Sequence, residues 1–106
     1  MSRFDEREQE FEARFTHDQE LAFKAKARRD KLLGLWAAEH LGLVGATADA
    51  YAKEIVGADF ERPGDNHVID RVAQDFSKRG IAIGAAQIAD QLRRCAADAK
   101  KQIMKE

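Results

Sequence analysis

Leu32 to Ala38, LLGLWAA, is the longest apolar run in the chain and the feature that most limits what it can fold into. A helix through this run is apolar nearly all round, so other elements must cover it on most sides. Seven residues fall far short of the ~20 that a membrane-spanning helix needs. The run therefore belongs to a protein core. Trp36, the largest side chain present, is expected at the centre of that core. Leu21, Ala25, Leu32 and Leu35 form the apolar line leading into it at helical spacing. Leu41-Gly42-Leu43 then supplies a stop, with Gly42 able to take the left-handed conformation that helix ends favour.

The remaining chain offers three more helices to do the covering. A second is expected from about Ala46 to Phe60, with Ala48, Tyr51, Ala52, Ile55 and Val56 facing inward. Glu61-Arg62-Pro63-Gly64-Asp65 is a turn around the sole proline, which cannot continue a helix. Asp65 or Asn66 can cap a third helix to about Lys78, in which Val68, Ile69, Val72 and Phe76 recur at helical spacing. Gly80 closes it. Gly84 starts a fourth helix with Gln87 at its third position, and Ile88, Leu92, Cys95, Ala99 and Ile103 form one stripe along it. The expected fold is all-α, a small four-helix bundle at 17–106 preceded by a separate segment at 1–16. A length of 106 residues suits one such domain. Charged residues reach 35%, above the usual quarter or so, as solvent-facing helices require.

The N-terminal segment has its own pattern. Phe4, Phe11 and Phe15 fall in a narrow strip of one helical face, and charges fill the others. That strip is out of phase with the line through Leu21 and Ala25, so the two apolar faces look in different directions. Glu10 and Arg14 support a helix here, whereas Glu8 and Glu12 oppose it. A dozen such residues are marginally helical in water, and the segment is expected to be disordered or weakly helical until it finds a surface. Thr16-His17-Asp18-Gln19 fits a capping box, with Thr16 as the cap. Three phenylalanines buried at roughly 1.5 to 3 kcal/mol each exceed the ~2 to 5 kcal/mol typically lost in ordering such a segment. Two readings follow: the strip folds back as ordinary core, or it lies in another protein's groove.

Other chemistry is sparse. Net charge is −1, which gives no general attraction to nucleic acid or anionic membranes. Charge is uneven, however: residues 1–23 carry seven acids against three bases, and residues 24–31 carry five bases against Asp30 alone. Adjacent blocks of opposite sign suit helix pairing or a patterned partner. No Gly-rich phosphate loop is present, and His17, His40 and His67 lack metal-ligand spacing, so no cofactor or metal is expected. Cys95 reads as a small core hydrophobe, and lone cysteine usage points to a reducing compartment. Asp5 with Glu6, and Asp59 with Glu61, read as parts of solvated faces. Met1 is followed at once by charge, without a signal-peptide pattern. A cytoplasmic binding protein without its own turnover is the reading that remains.

One string is more specific than any of these patterns. Phe4-Asp5-x-Arg7-Glu8-x-x-Phe11-Glu12-x-x-Phe15-x-His17-Asp18, then Phe23-Lys24 and Ala27-Arg28-Arg29-x-Lys31-Leu32-Leu33-Gly34-Leu35-Trp36-Ala37-Ala38, closely resembles the zeta subunit of alphaproteobacterial F-type ATP synthase. The likeness continues through Asp49-Ala50-Tyr51-Ala52-Lys53-Glu54, Asp59-Phe60, Pro63-Gly64-Asp65 and Gln87-Ile88, and so covers essentially the whole chain. It implies a four-helix bundle that inhibits ATP hydrolysis by the synthase. Its N-terminal segment would enter the interface between catalytic and non-catalytic subunits of the rotary head, beside the central stalk, as a wedge against reverse rotation. Carried onto this chain, the wedge runs from Phe4 to about Phe23, with Phe4, Arg7, Glu8, Phe11, Glu12, Phe15, His17 and Asp18 matching the pattern. The free protein would be a monomer at the periphery of the membrane-bound synthase. Departures from the family pattern are Thr16 for alanine, Gln19 for glutamate and Asp30 for asparagine. Val44 and Gly84 stand where capping serines are usual, at roughly 0.5 to 2 kcal/mol per lost cap unless a neighbour substitutes, and much less for glycine.

Overall fold

Helical periodicity over the last twenty residues is realised as a helix whose stripe, Ile88, Leu92, Cys95, Ala99 and Ile103, is buried along its whole length. It is the last of four among the described residues. The computed structural model describes residues 18–106, in which α1 spans Gln19–His40, α2 Ala46–Glu61, α3 Asp65–Lys78 and α4 Ala85–Lys105. No strand occurs among the described residues. The segment expected at 1–16 lies outside them. α1 packs most extensively on α2 and α4, while α3 bridges those two on the far side.

Helix ends are set largely by local chemistry. Gly42 and Gly80 follow α1 and α3 with φ of 77° and 70°, the left-handed step that lets the chain turn back. Leu43 N–H then donates to the Ala38 carbonyl, and Ile81 N–H to that of Phe76, both at 2.9 Å. α4 starts at Gly84, whose N–H donates to Gln87 Oε1 at 3.0 Å. Val44 is not a cap in the structure; Gly45 is. Thr47 Oγ1 instead accepts from Val44 N–H at 3.2 Å and donates to the Val44 carbonyl at 2.7 Å, so a neighbour ties the turn. At α3 the expected caps do not act. Gly64 holds the cap position, which puts Asp65 inside the first turn, where its carboxylate pairs with Arg29 instead.

The core differs from the expected one in α1. Trp36 is only half-buried, at the flank, with its ring 5.7 Å from Phe76 and 4.9 Å from His40. Phe76 is the largest fully buried side chain. Of the line Leu21, Ala25, Leu32 and Leu35, only Ala25 is buried. The buried face runs instead through Leu33, Gly34, Ala37, Ala38 and Leu41. The reason is distance. A Cβ on Gly34 would lie 2.6 Å from Ala52 Cα, so α1 and α2 approach closely only where α1 is small, and its bulkier residues move to the flanks.

Candidate partner-binding site at the head of the first helix

Asp18 is where α1 begins. Its backbone is extended, with φ of −99° and ψ of 103°, and its Oδ1 accepts from Glu20 N–H at 3.0 Å and Leu21 N–H at 3.2 Å. Those bonds satisfy amides that no helical carbonyl reaches, which fixes the first turn. The helix therefore starts two residues later than the Thr16 cap would place it, because Asp18 binds the free amides itself. Of the residues carried over from the family pattern, Asp18 alone is described. Phe4, Arg7, Glu8, Phe11, Glu12, Phe15 and His17 lie outside the described residues.

Beyond Asp18, α1 presents an exposed aromatic pair. Phe23 is 58% and Phe60 44% exposed, and their rings stack at 4.8 Å between centroids. Phe60 comes from the last turns of α2, so the pair bridges two helices. A shallow groove beside it is lined by Glu20, Phe23, Lys24, Ala27, Arg28, Lys31 and Val56. Apolar floor and basic rim thus meet immediately after the point where residues 1–17 join the bundle. Phe60 is a contributor that sequence reasoning missed. It closes a helix pattern as one more aromatic, and only the α1–α2 crossing brings it to Phe23.

The basic block of α1 is engaged by other helices. Lys24 Nζ lies 2.5 Å from Glu106 and Arg28 Nη2 2.6 Å from it; Arg28 Nη1 also donates to Gln102 at 2.9 Å. These contacts hold the Glu106 carboxyl below its ordinary range. Lys26 and Arg29 turn the other way, toward Asp59 at 3.5 and 3.4 Å. Lys31 is exposed at the groove edge. Partners for the block thus come from α2, α3 and α4, a pairing that sequence order could not show.

One further expectation changes. Asp59 is 1% exposed, so it does not belong to a solvated face with Glu61, which is exposed. The helix crossing turns Asp59 inward to Arg29. Cys95 is buried as expected, and burial pushes its thiol upward. Tyr51 donates its hydroxyl to Asp75 Oδ2 at 2.7 Å; burial and that carboxylate raise its pKa above the ordinary phenol range. Among the described residues no group of three or more potential metal ligands occurs, and no helix is long and apolar enough to cross a membrane.

Among the described residues, the groove beside Phe23 combines the apolar surfaces of Phe23, Ala27 and Val56 with the charges of Lys24, Arg28 and Lys31. What it offers is an exposed apolar and basic surface at the base of an acidic, phenylalanine-bearing segment. No curated protein is similar enough to the chain to count as a match. The model of the family described as ATPase inhibitor subunit zeta matches residues 1–102, which takes in the N-terminal segment and the bundle together. The chain belongs to the ATPase inhibitor subunit zeta family.

Proposed function

We propose that the chain is a regulatory inhibitor of ATP hydrolysis by the F-type ATP synthase, without turnover of its own. The observation that carries this reading is the family match over residues 1–102. In this reading the chain has two parts. Residues 1–17 form the inhibitory segment, and the bundle from Asp18 onward is the body that limits insertion. Phe4, Phe11 and Phe15 would bury against the interface of catalytic and non-catalytic subunits. Arg7, Glu8, Glu12 and His17 would fix register with charges on the subunits and the central stalk. Asp18 ends the segment by capping α1.

Energetics favour a two-part contact. Three phenylalanines buried at roughly 1.5 to 3 kcal/mol each leave a small surplus over the ordering cost, so the segment alone binds weakly. Phe23 and Phe60 sit next to its attachment and extend the apolar surface onto a rigid part of the protein. Placement at the cytoplasmic periphery of the synthase follows from that partner, as does the absence of any cofactor requirement. The test is a titration of the protein into isolated synthase head while ATP hydrolysis is followed. The expected result is saturable inhibition, weakened about tenfold or more when Phe11 and Phe15 are both changed to Ala. Unchanged hydrolysis at every concentration of the native chain would contradict it.

A further inference from the structure

Asp30 on α1 and Asp59 on α2 are each 1% exposed, and one guanidinium holds them together. Arg29 Nε donates to Asp30 Oδ1 at 3.0 Å, and its Nη2 donates to Asp59 Oδ2 at 3.4 Å. Every helix contributes to the surroundings. From α1, Lys26 lies 3.5 Å from Asp59 Oδ2. From α3, Asp65 takes the remaining arm of Arg29 at 3.0 Å. From α4, the Cys95 thiol lies within reach of the Arg29 and Asp30 charges, and Lys100 lines the same surface recess as Lys26 and Arg29. Asp59 Oδ1 is buried and has no hydrogen-bond partner among the described residues.

With both acids ionised, this arrangement would hold two like charges in a dry interface and leave one carboxylate oxygen without a donor, which is strongly unfavourable. A proton on Asp30 removes both faults at once. It cancels one charge and supplies the O–H that Asp59 Oδ1 lacks, as carboxyl pairs at close quarters commonly do. We propose that Asp30 and Asp59 form a shared-proton site that clamps the middle of α1 to the tail of α2, and that the folded bundle gives up this proton as the medium becomes alkaline.

The electrostatics agree in direction for each partner. Burial and the hydrogen bond to Asp59 raise Asp30 to about 7 against the opposing pull of Arg29. Burial would also raise Asp59, but the bond from Asp30 and the charges of Lys26 and Arg29 outweigh it and hold Asp59 below its ordinary value. A pKa raised on folding adds stability that is full below the unfolded value near 3.9 and is gone once pH has passed the folded one. The loss attributable to Asp30 therefore falls between about 4 and about 7. The proton passes to solvent, and no other reactant is needed. This is a property of the bundle, whatever the chain inhibits.

Side-chain carboxyl ¹³C resonances of the full chain test it directly. One proton should leave the Asp30–Asp59 pair with a midpoint near 7, above the ordinary aspartate range. If both carboxyls are already ionised at pH ~6, above the ordinary aspartate range, the site does not exist. Asp30→Asn keeps a donor for Asp59 without a titrating group. Between pH ~5 and ~8 the folding constant of the native chain should fall about ten- to a hundredfold relative to this variant, levelling off at the upper end. Parallel pH profiles would overturn the proposal. Should the variant fail to fold, the carboxyl titration of the native chain decides alone.

Discussion

The two ends of the bundle are joined by different chemistry. At one end Leu33, Ala37, Ile55, Val72, Phe76 and Ile88 bring together apolar side chains from all four helices. At the other, from the middle of α1 back toward its start, Asp30, Asp59, Arg29 and Asp65 do the joining, and the buried apolar residues beside them are few, Ala25, Ala99 and Ile103 among them. Helix length explains the contrast. α1 has 22 residues and α3 has 14, so at 1.5 Å per residue α1 outruns α3 by about 12 Å. α3 meets α1 at Arg29 through its own first residue, Asp65, and over the turns of α1 before that point Lys24, Lys26 and Arg28 pair with Asp59 and Glu106. One end is thus held by shape, which pH and salt hardly touch, and the other by charge, which both can adjust. The adjustable end is the one that carries the N-terminal segment.

The sharpest way to break this contrast is at the apolar end. Phe76→Ala should cost roughly 3 to 5 kcal/mol in chemical denaturation, enough to leave a small domain largely unfolded. If the cost is below about 1 kcal/mol, the apolar layer is not what holds the bundle. Gly34→Ala comes next. Alanine is the better helix former by about 1 kcal/mol, yet its Cβ would meet Ala52 Cα at 2.6 Å, so a net loss of roughly 1 to 3 kcal/mol is expected. A gain in thermal midpoint would show that α1 and α2 are free to separate there.

At the charged end the effects shrink. Phe23→Ala removes an exposed ring stacked on Phe60 and should cost no more than about 1.5 kcal/mol of stability while weakening inhibition more than that loss explains. Equal effects on both would make Phe23 structural only. Lys24→Ala, at an exposed pair with Glu106, should leave the unfolding midpoint unchanged at about 0.15 M salt, where such pairs are screened. A clear destabilisation would mean that the last turn of α4 is an anchor for α1 and not a loose edge.

Much of this contrast was legible in the sequence, and the missing parts share a cause. The stripe from Ile88 to Ile103, the turn at Pro63, the glycine stops at Gly42 and Gly80 and the cap at Gly84 are local signals, and each corresponds to an observed feature. Periodicity also shows α1, but not which of its faces is inside. LLGLWAA is apolar all round, and the choice falls to close packing against Ala52, which favours Gly34, Ala37 and Ala38 over Trp36. Asp59 reads as one more surface charge until the α1–α2 crossing sets it beside Arg29. Asp30 was visible as a departure from the family pattern, but its consequence needed the partner carboxyl. Caps were misplaced at Thr16, Asp65 and Asn66 for a simpler reason: several neighbouring residues can cap, and the surrounding turn selects among them.

The division of labour between the bundle and the segment before it rests on one boundary, Asp18. Comparing the full chain with a chain that begins at Asp18 in the ATP hydrolysis assay tests that division most directly, with thermal unfolding followed in parallel. Because the Asp18 cap and all four helices are retained, the shortened chain should unfold like the full one and should no longer inhibit the synthase head. Full inhibition by the shortened chain would contradict the account.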